Sequence, residues 1–383
     1  MRKVFYVTGT RADFGLMAHV LERIHGDPRL ALQVGVTGMH LSPAFGMTVR
    51  EIEALGLPIA ARIPTHVDAR TPTAMAQGIG EAVIGLTTAL ANERPDLMLL
   101  IGDRGEMLAG AIAALHLGIP IVHLHGGERS GTVDEPVRHA ITKLSHWHFV
   151  ATEASRERVV RMGERPDHVW VTGAPSLDGL ADLENLPREP VLSALGLPEG
   201  ARYLLVLFHP VVQEMQDAWR QTQALVDALQ SVQQEVAPLH LVWLAPNADA
   251  GSAGIVQALD AAQDHIGVSL RRITHLHRPD YLAALRHADV LVGNSSSGII
   301  EASSLGTPVV NIGHRQRARE RNANTLDCEA DPSAILAALR KSLARGRLVP
   351  ANVYGDGHAA GKIVELLATT PLDPGLLDKV NTY

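Results

Sequence analysis

The sequence predicts an α/β protein with two Rossmann-like, doubly wound parallel sheets that face a shared cleft. Short apolar runs alternate with amphipathic stretches, which is typical of βαβ units. Polar, glycine-rich segments follow the ends of several apolar runs, where such sheets bind ligands. With 383 residues the chain exceeds what one hydrophobic core usually serves, so two domains are expected.

The first part of the chain carries a complete series of alternating patterns. Strands are predicted at Lys3–Thr8, Leu32–Thr37, Leu97–Ile101, Ile119–Leu124, His148–Ala151 and Val169–Thr172. Helical apolar spacing is found at Asp13–Ile24, Met75–Asn92, Glu106–Leu117, Glu135–Ser145 and Glu153–Met162.

A proline-containing stretch, Leu183–Gly200, predicts the boundary between the two domains. The pattern then restarts with strands at Tyr203–Phe208, Leu239–Ala245, Ser269–Ile273, Val290–Gly293 and Val309–Ile312. Helices are predicted at Gln213–Val236, Gly254–His265, Pro279–His287, Ser297–Leu305, Pro332–Arg345 and Gly357–Ala368. We therefore expect domains at 1–182 and 183–356, with 357–383 packing back on the first domain.

Composition narrows the class of protein. The net charge of −7 argues against a non-specific nucleic-acid binder, which needs a basic face. The single cysteine, Cys328, can form neither an internal disulfide nor a metal cage. The chain starts directly in an apolar strand pattern, and no window approaches the roughly 20 apolar residues of a membrane span. We expect a cytoplasmic protein with no membrane or nucleic-acid partner.

The segment Thr8–Asp13 follows the first strand and opens the first helix. Its glycine permits close backbone approach, the helix N-terminus offers N–H groups, and Arg11 can bind a phosphate in a fork. Short glycine turns are common in any βαβ unit, so this segment alone is a weak signal.

A second segment, Gly293–Gly298, lies between a strand and a helix of the second half. Ser295, Ser296 and Ser297, with the helix amides, suit a diphosphate, and Glu301 could accept hydrogen bonds from a ribose diol. One serine could simply cap the helix, but three in a row beside Gly298 exceed what a cap requires.

Several acid–base candidates follow other strands. Asp103 comes directly after one, although a helix cap is the alternative interpretation. His123 and His125 are expected on one face of a strand, followed by a glycine pair and Glu128. A His-x-His pair can bind metal, but no further ligands follow at conventional spacing, so no metal site is expected.

Two more candidates complete this set. Asp134 begins a predicted helix, where an acidic residue is also an ordinary partner of the helix dipole. His209 ends the first strand of the second domain and is expected to face the same cleft.

Together these segments resemble the UDP-N-acetylglucosamine 2-epimerase family, specifically its hydrolysing branch from sialic-acid synthesis. The motifs run in family order from residue 9 to about 320 and cover both domains. They are Gly9–Asp13, Gly102–Arg104, His123–Glu128, Ser130–Glu135, Arg138–Lys143, Phe208–Pro210, Asn247–Asp249, Gly293–Glu301 and Asn311–Gln316.

The resemblance implies a glycosyltransferase-B-like architecture, no cofactor, no required metal, and a homodimer. It implies that the UDP is held by Arg11, Asn247, Ser295, Ser296, Ser297, Gly298 and Glu301. At the sugar it implies Asp103, Asp134 and His209, with His125 and Glu128 in the same acid–base pool. Several family members carry glutamate where this chain has His125, so the identity of the base stays open.

The implied reaction converts UDP-N-acetylglucosamine and water into N-acetylmannosamine and UDP. It proceeds by anti elimination of UDP to 2-acetamidoglucal, followed by hydration. We expect Asp103 and Asp134 to act as acid and base, with His209 steering or protonating the diphosphate. The same chemistry on a UDP-2,4-diacetamido-trideoxy sugar of the legionaminic acid route is an alternative. A glycosyltransferase and a catalytically silent nucleotide-sugar sensor are alternatives of other classes.

Overall fold

The structure is a computed structural model that describes residues 1–66, 71–131, 134–247, 249–266 and 269–382. The chain divides into two compact units. Unit 1 comprises Met1–Glu128, Val133–Asp178 and Tyr354–Tyr383. Unit 2 comprises Arg129–Thr132 and Gly179–Val353. The α/β class with two parallel sheets is confirmed, whereas the predicted domain limits and the shared cleft stay predictions.

Unit 1 is built on a seven-stranded parallel sheet in the order β3-β2-β1-β4-β5-β6-β7. Its strands are β1 (Arg2–Thr8), β2 (Leu30–Thr37), β3 (Ile59–Ile63), β4 (Leu97–Ile101), β5 (Ile121–Leu124), β6 (Trp147–Val150) and β7 (Val169–Val171). The central strands are apolar and buried on both faces, as a sheet covered by helices on both sides requires.

The helices of unit 1 connect these strands by crossovers. They are α1 (Arg11–Gly26), α2 (Val49–Ala54), α3 (Pro72–Glu93), α4 (Gly105–His116), α5 (Asp134–Leu144) and α6 (Glu153–Arg161). Helix α1 begins with a capping box, in which the Thr10 hydroxyl and the Asp13 carboxylate each accept a hydrogen bond from the other's backbone N–H.

Unit 2 repeats the plan with a six-stranded parallel sheet in the order β10-β9-β8-β11-β12-β13. Its strands are β8 (Arg202–Leu207), β9 (Leu239–Leu244), β10 (Leu270–Ile273), β11 (Val290–Gly293), β12 (Val309–Ile312) and β13 (Thr325–Cys328). Its helices are α7 (Arg188–Ala194), α8 (Ala218–Glu235), α9 (Ser252–Ile266), α10 (Arg278–His287), α11 (Ser296–Ile300) and α12 (Pro332–Arg345).

The chain then returns to unit 1 with α13 (Ala359–Thr369). This helix packs on α1, and Ala360, Ile363 and Leu367 are fully buried in the core there. Its first amides, those of Ala359 and Ala360, donate to the carboxylate of Asp178 at 2.8 and 2.7 Å. An aspartate distant in sequence therefore caps the last helix.

The differences from the sequence prediction lie at the edges of the sheets. β3 and β13 were not predicted, because both are edge strands whose residues are mostly half-exposed and give a weak apolar signal. The short helices α2 and α7 were also missed. Helix α11 ends at Ile300, whereas the sequence predicted a helix to Leu305; the chain continues there in turns.

Helix α3 is long and apolar enough to cross a membrane by length and composition alone, contrary to the sequence-based expectation. Only 28% of its most apolar window is buried, and Ile84 is 72% exposed. One such helix is weak evidence for a membrane span, because α3 packs against α4 as one crossover of the folded unit.

Candidate active site

Neighbouring strands bring the predicted loops together within each unit. In unit 1, β1, β4 and β5 are adjacent and parallel, so the loops after Thr8, Ile101 and Leu124 lie at one edge of the sheet. In unit 2, β9, β8 and β11 are adjacent and parallel. The loops after β8, β9 and β11 hold His209, Asn247 and Ser295, respectively. Each unit therefore presents its own group of polar side chains.

The loop before α1 is stabilised from within. The Asp13 carboxylate accepts hydrogen bonds from the N–H groups of Gly9 and Thr10 at 3.2 and 2.8 Å, and from the hydroxyl of Thr8. These two amides are thus engaged by Asp13, whereas phosphate binding by the first turn of α1 stays a prediction. Arg11 remains as the phosphate-binding candidate; its burial lowers its pKa, against the opposing effect of Glu51.

Asp103 follows β4 and forms an ion pair with Arg138 of α5. The Arg138 side chain is 1% exposed, and its second guanidinium nitrogen donates to the backbone oxygen of Glu128 at 2.9 Å. A buried guanidinium needs such partners, since burial of an unpaired charge is very unfavourable. Arg138 therefore links the Asp103 loop to the Glu128 loop.

His123 is a structural histidine. Its Nε2 donates to the backbone oxygen of Gly102 at 2.7 Å, and its Nδ1 then accepts from the Thr142 hydroxyl at 3.1 Å. Burial lowers the pKa of His123 to about 3, so the ring is neutral at physiological pH. Its role is to hold the backbone immediately before Asp103.

His125 lies beyond the end of β5, so the expectation that it shares a strand face with His123 is wrong. Its φ of 62° is a left-handed conformation that costs a non-glycine residue about 1–3 kcal/mol. Its Nδ1 is hydrogen-bonded to the Glu128 carboxylate, and the two residues are 7% and 2% exposed. The sequence placed both residues in the acid–base pool, and the structure pairs them.

Asp134 is the first residue of α5 and is half-buried. Arg138, one turn later, is the residue that binds Asp103, so one helix carries both groups. Thr132 and Val133 of the family motif lie outside the described residues, as does Ala248 of the Asn247–Asp249 motif.

His209 is fixed by its neighbours in unit 2. The Asn294 side chain accepts from the His209 N–H at 2.7 Å and donates to the His209 backbone oxygen at 2.8 Å. The ring Nδ1 accepts from the backbone N–H of Asn247 at 3.1 Å. Since Nδ1 is an acceptor, the neutral ring carries its proton on Nε2.

The serine segment combines capping and hydrogen bonding. Ser295 caps α11 by accepting from the Ser297 N–H at 3.3 Å. The Ser297 hydroxyl donates to one oxygen of Glu301 at 2.5 Å, and Arg278 donates to the other at 2.6 Å. Glu301 is therefore buried and engaged through both oxygens.

Two other members of this segment differ in surroundings. A Cβ added at Gly298 would lie 3.0 Å from a methyl group of Val309, so the glycine allows α11 to pack on the sheet. Ser296, the first residue of α11, is half-buried.

Sequence reasoning missed residues that act through these candidates. Arg138, Thr142, Asn294, Arg278 and Tyr281 contact predicted site residues. Arg138 and Thr142 lie within the motif Arg138–Lys143, and Asn294 lies within Gly293–Glu301. For Arg138 and Thr142, the spacing of one and two turns after Asp134 was the available signal. Their partners depend on tertiary contacts that spacing does not reveal.

A family model described as UDP-N-acetylglucosamine 2-epimerase matches residues 22–368. The chain belongs to this family. This chain shares 46% identity with the hydrolysing UDP-N,N′-diacetylbacillosamine 2-epimerase of Legionella pneumophila over 383 residues, the full length of both chains. It shares 31% identity with the UDP-N-acetylglucosamine 2-epimerase of Neisseria meningitidis, covering 93% of this chain and 92% of the relative.

Among solved structures, a UDP-N-acetylglucosamine 2-epimerase from N. meningitidis bound to UDP-N-acetylglucosamine superposes with a TM-score of 0.78 at 19% identity. The match covers 95% of this chain and 99% of that one. The predicted glycosyltransferase-B-like fold, the hydrolysing branch and the enzyme class are confirmed for this 2-epimerase.

Proposed function

We propose that this 2-epimerase hydrolyses UDP-N,N′-diacetylbacillosamine, a UDP-2,4-diacetamido-2,4,6-trideoxyhexose, to UDP and the 2-epimeric free sugar. The observation that carries the proposal is the 46% identity to the L. pneumophila enzyme over the full length of both chains. The sequence alone put UDP-N-acetylglucosamine first and this substrate second, and the difference between 46% and 31% identity reverses that order.

The chemistry explains what the site must supply. The C2 hydrogen of a 2-acetamido sugar is not adjacent to a carbonyl, so direct deprotonation is very unfavourable. Departure of the diphosphate from C1 gives that carbon cationic character and makes the C2 proton removable. Water then adds to C1 of the resulting glycal while a proton returns to the other face of C2. The reaction needs two acid–base groups and hydrogen-bond donors for the leaving diphosphate.

We assign these tasks to the residues of both units. The diphosphate and uridine are held by Arg11, Asn247, the Ser295–Gly298 segment and Glu301. His209 supports the departing diphosphate by donating from Nε2, a role supported by the Asn247 N–H on its Nδ1. The acid–base pool comprises Asp103, His125, Glu128 and Asp134, with Asp134 as the group that returns the proton. No step requires a metal or a cofactor.

A side-by-side turnover assay tests the proposal. The purified protein is incubated with UDP-N,N′-diacetylbacillosamine or UDP-N-acetylglucosamine, without an acceptor, in deuterated water. We expect UDP release, a free 2-epimer carrying deuterium at C2, and a kcat/KM at least about tenfold higher for the diacetamido substrate, equivalent to about 1.4 kcal/mol. Retained C2 stereochemistry would indicate a transferase, and binding without turnover would indicate a sensor; either result contradicts the proposal.

The second candidate is hydrolysis of UDP-N-acetylglucosamine to N-acetylmannosamine for sialic acid biosynthesis. The observation in its favour is the 31% identity to the N. meningitidis enzyme over most of both chains. A higher kcat/KM for UDP-N-acetylglucosamine in the same assay would select this substrate.

We further propose that the enzyme is a cytoplasmic homodimer without nucleic-acid or membrane partners. The net charge of −7 supports the absence of a nucleic-acid partner, and the single cysteine supports a cytoplasmic location. Helix α3 supports a protein contact, because its most apolar window is only 28% buried and Ile84 within it is 72% exposed.

A further inference from the structure

We infer that His125 is the base that removes the C2 proton, and that Glu128 is a positioning residue that acts through it. This inference rests on the function proposed above and resolves which member of the acid–base pool starts the reaction. It replaces Asp103 in the acid–base pair of Asp103 and Asp134 that the sequence favoured, without a choice between acid and base.

The geometry of the pair sets the direction of proton transfer. His125 Nδ1 lies in a hydrogen bond with Glu128 Oε1, and both side chains are more than nine-tenths buried. An ionised carboxylate only accepts, so Nδ1 carries the proton and donates it to Glu128. Nε2 is then the basic nitrogen of the neutral ring. When Nε2 takes up a proton, Glu128 stabilises the imidazolium that forms.

The segment that carries this pair is held from two helices. Arg138 of α5 donates to the Glu128 backbone oxygen at 2.9 Å, and Arg158 of α6 donates to the Gly127 backbone oxygen at 2.5 Å. Gly127 has a φ of 76°, and a Cβ there would lie 2.4 Å from the Ser155 backbone oxygen. The surrounding contacts therefore maintain the left-handed backbone of His125, which a protein keeps at sites that need a fixed side-chain direction.

The other carboxylates of unit 1 are less suited to accept a proton. Asp103 is ion-paired with the buried guanidinium of Arg138, and protonation there would break that pair. Asp134, the first residue of α5, is assigned above to the return of a proton to the other face of C2, so it is not the base of the first step. Protonation of His125 instead creates a charge that its partner Glu128 already compensates.

The step is balanced as follows. The C2–H bond breaks, and its proton moves to Nε2 of His125. The electron pair of that bond forms the second bond between C1 and C2. The C1–O bond to the diphosphate breaks, and its electrons leave with UDP. The products of this step are the glycal, UDP and the imidazolium of His125 paired with Glu128.

Replacement of His125 tests the assignment. His125→Asn suits the position because asparagine tolerates a left-handed φ, and His125→Gln serves as a second variant. With the substrate that the wild type turns over, we expect UDP release at least about 10²-fold slower, no accumulation of glycal, and UDP affinity within about twofold of wild type. UDP release near the wild-type rate with glycal accumulation would overturn the inference, because His125 would then act only in hydration.

The role of Glu128 is tested by its effect through His125. We expect Glu128→Gln to lower kcat about tenfold or more while KM changes less than twofold, and Glu128→Asp to restore part of kcat. In the His125→Asn background, Glu128→Gln should cause little further loss, because the two residues act as one unit. Additive losses in the double variant would refute the coupling.

A matched control lies on α1. His19 and Glu22 have the same three-residue spacing but are 55% and 46% exposed, and His19→Asn with Glu22→Gln should leave kcat and KM unchanged. The two levels of proposal can be distinguished. If the wild type releases no UDP from either sugar nucleotide, the proposed function fails. If the wild type is active and the His125 variants are equally active, the function stands and the inference fails.

Discussion

Arg11 and Asp134 are two residues of unit 1 for which we expect separable defects. Arg11→Ala removes a cation expected at the diphosphate, so we predict that UDP affinity falls about tenfold or more. Asp134→Asn removes a proton donor without changing the side-chain volume, so turnover should be abolished while UDP affinity is retained. Calorimetric titration with UDP and a UDP-release assay measure the two effects, and an equal loss of UDP affinity in both variants would contradict the assignments.

Asp13 is a single residue whose ionisation should be visible in stability. Burial raises the pKa of Asp13 from 3.8 to about 6, against hydrogen bonds from Thr8 and Thr10. At a pH between these two pKa values, Asp13 is protonated in the folded state and ionised in the unfolded state. The stabilisation that proton binding to Asp13 gives the folded state is therefore fully present below about pH 4 and is lost as the pH rises through about 6.

The variant Asp13→Asn should lack this pH dependence. Relative to wild type, its free energy of unfolding should improve by about 2–3 kcal/mol between pH 4 and pH 7, as measured by urea denaturation. Asp27 gives the contrasting control, because hydrogen bonds from Arg29 lower its pKa to about 2. Its contribution is lost as the pH falls through about 2, so Asp27→Asn should show no such improvement. A pH-independent difference between Asp13→Asn and wild type would contradict the prediction.

Among the elements, α5 is anchored at its C-terminal end. Lys379 of the C-terminal segment donates to the backbone oxygens of Thr142 and Lys143 at 3.2 and 2.7 Å, and to that of Ser145. Lys379 also pairs with buried Glu164 at 2.7 Å. A cation at this end of the helix satisfies its last carbonyls and opposes the helix dipole.

Lys379→Met should therefore destabilise unit 1. The variant leaves Glu164 and several carbonyls with fewer partners, so we expect the free energy of unfolding to fall by about 2–4 kcal/mol. Hydrogen exchange should accelerate in the last turn of α5. The control is Lys362→Met on α13, whose pair with Asp356 is exposed and should contribute less than about 1 kcal/mol. Equal free energies of unfolding for the two variants would contradict the stabilising role of Lys379.

The elements also show how far sequence reasoning reaches. Central strands such as β1, β4, β8 and β11 were predicted because their apolar residues form short uninterrupted runs. Edge strands such as β3 were missed because half-exposed residues give no such run. The expectation that ligands bind at the carboxyl ends of parallel strands also located the candidate loops.

The contacts within the site could not be predicted in the same way. The ion pair between Asp103 and Arg138 joins residues 35 positions apart in the sequence. β5 ends at Leu124 and His125 beyond it has a left-handed backbone, so His125 does not share the expected strand face with His123. Such features depend on tertiary packing, which local pattern and spacing do not encode.

For the whole molecule, the proposed homodimer makes a prediction about α3. Ile84 is 72% exposed on this apolar helix, and Ile84→Glu would place a charge in the proposed interface. We expect light scattering after size-exclusion chromatography to show a dimer for wild type and a shift toward monomer for the variant. Val349→Glu, at an 88% exposed residue of unit 2, should leave the mass unchanged. A monomeric wild type, or a dimeric Ile84→Glu variant, would contradict the proposed α3 interface.

The return of α13 to unit 1 has a consequence for how the protein is made. The strands of unit 1 leave the ribosome first, but α13, which fills their core beside α1, leaves only after all of unit 2 has been synthesised. Until then the apolar surface that receives Ile363 and Leu367 is uncovered. Unit 2 can finish folding during translation, whereas unit 1, which begins first, is completed last. Nascent chains stalled just short of α13 should therefore be the species that most needs chaperone protection.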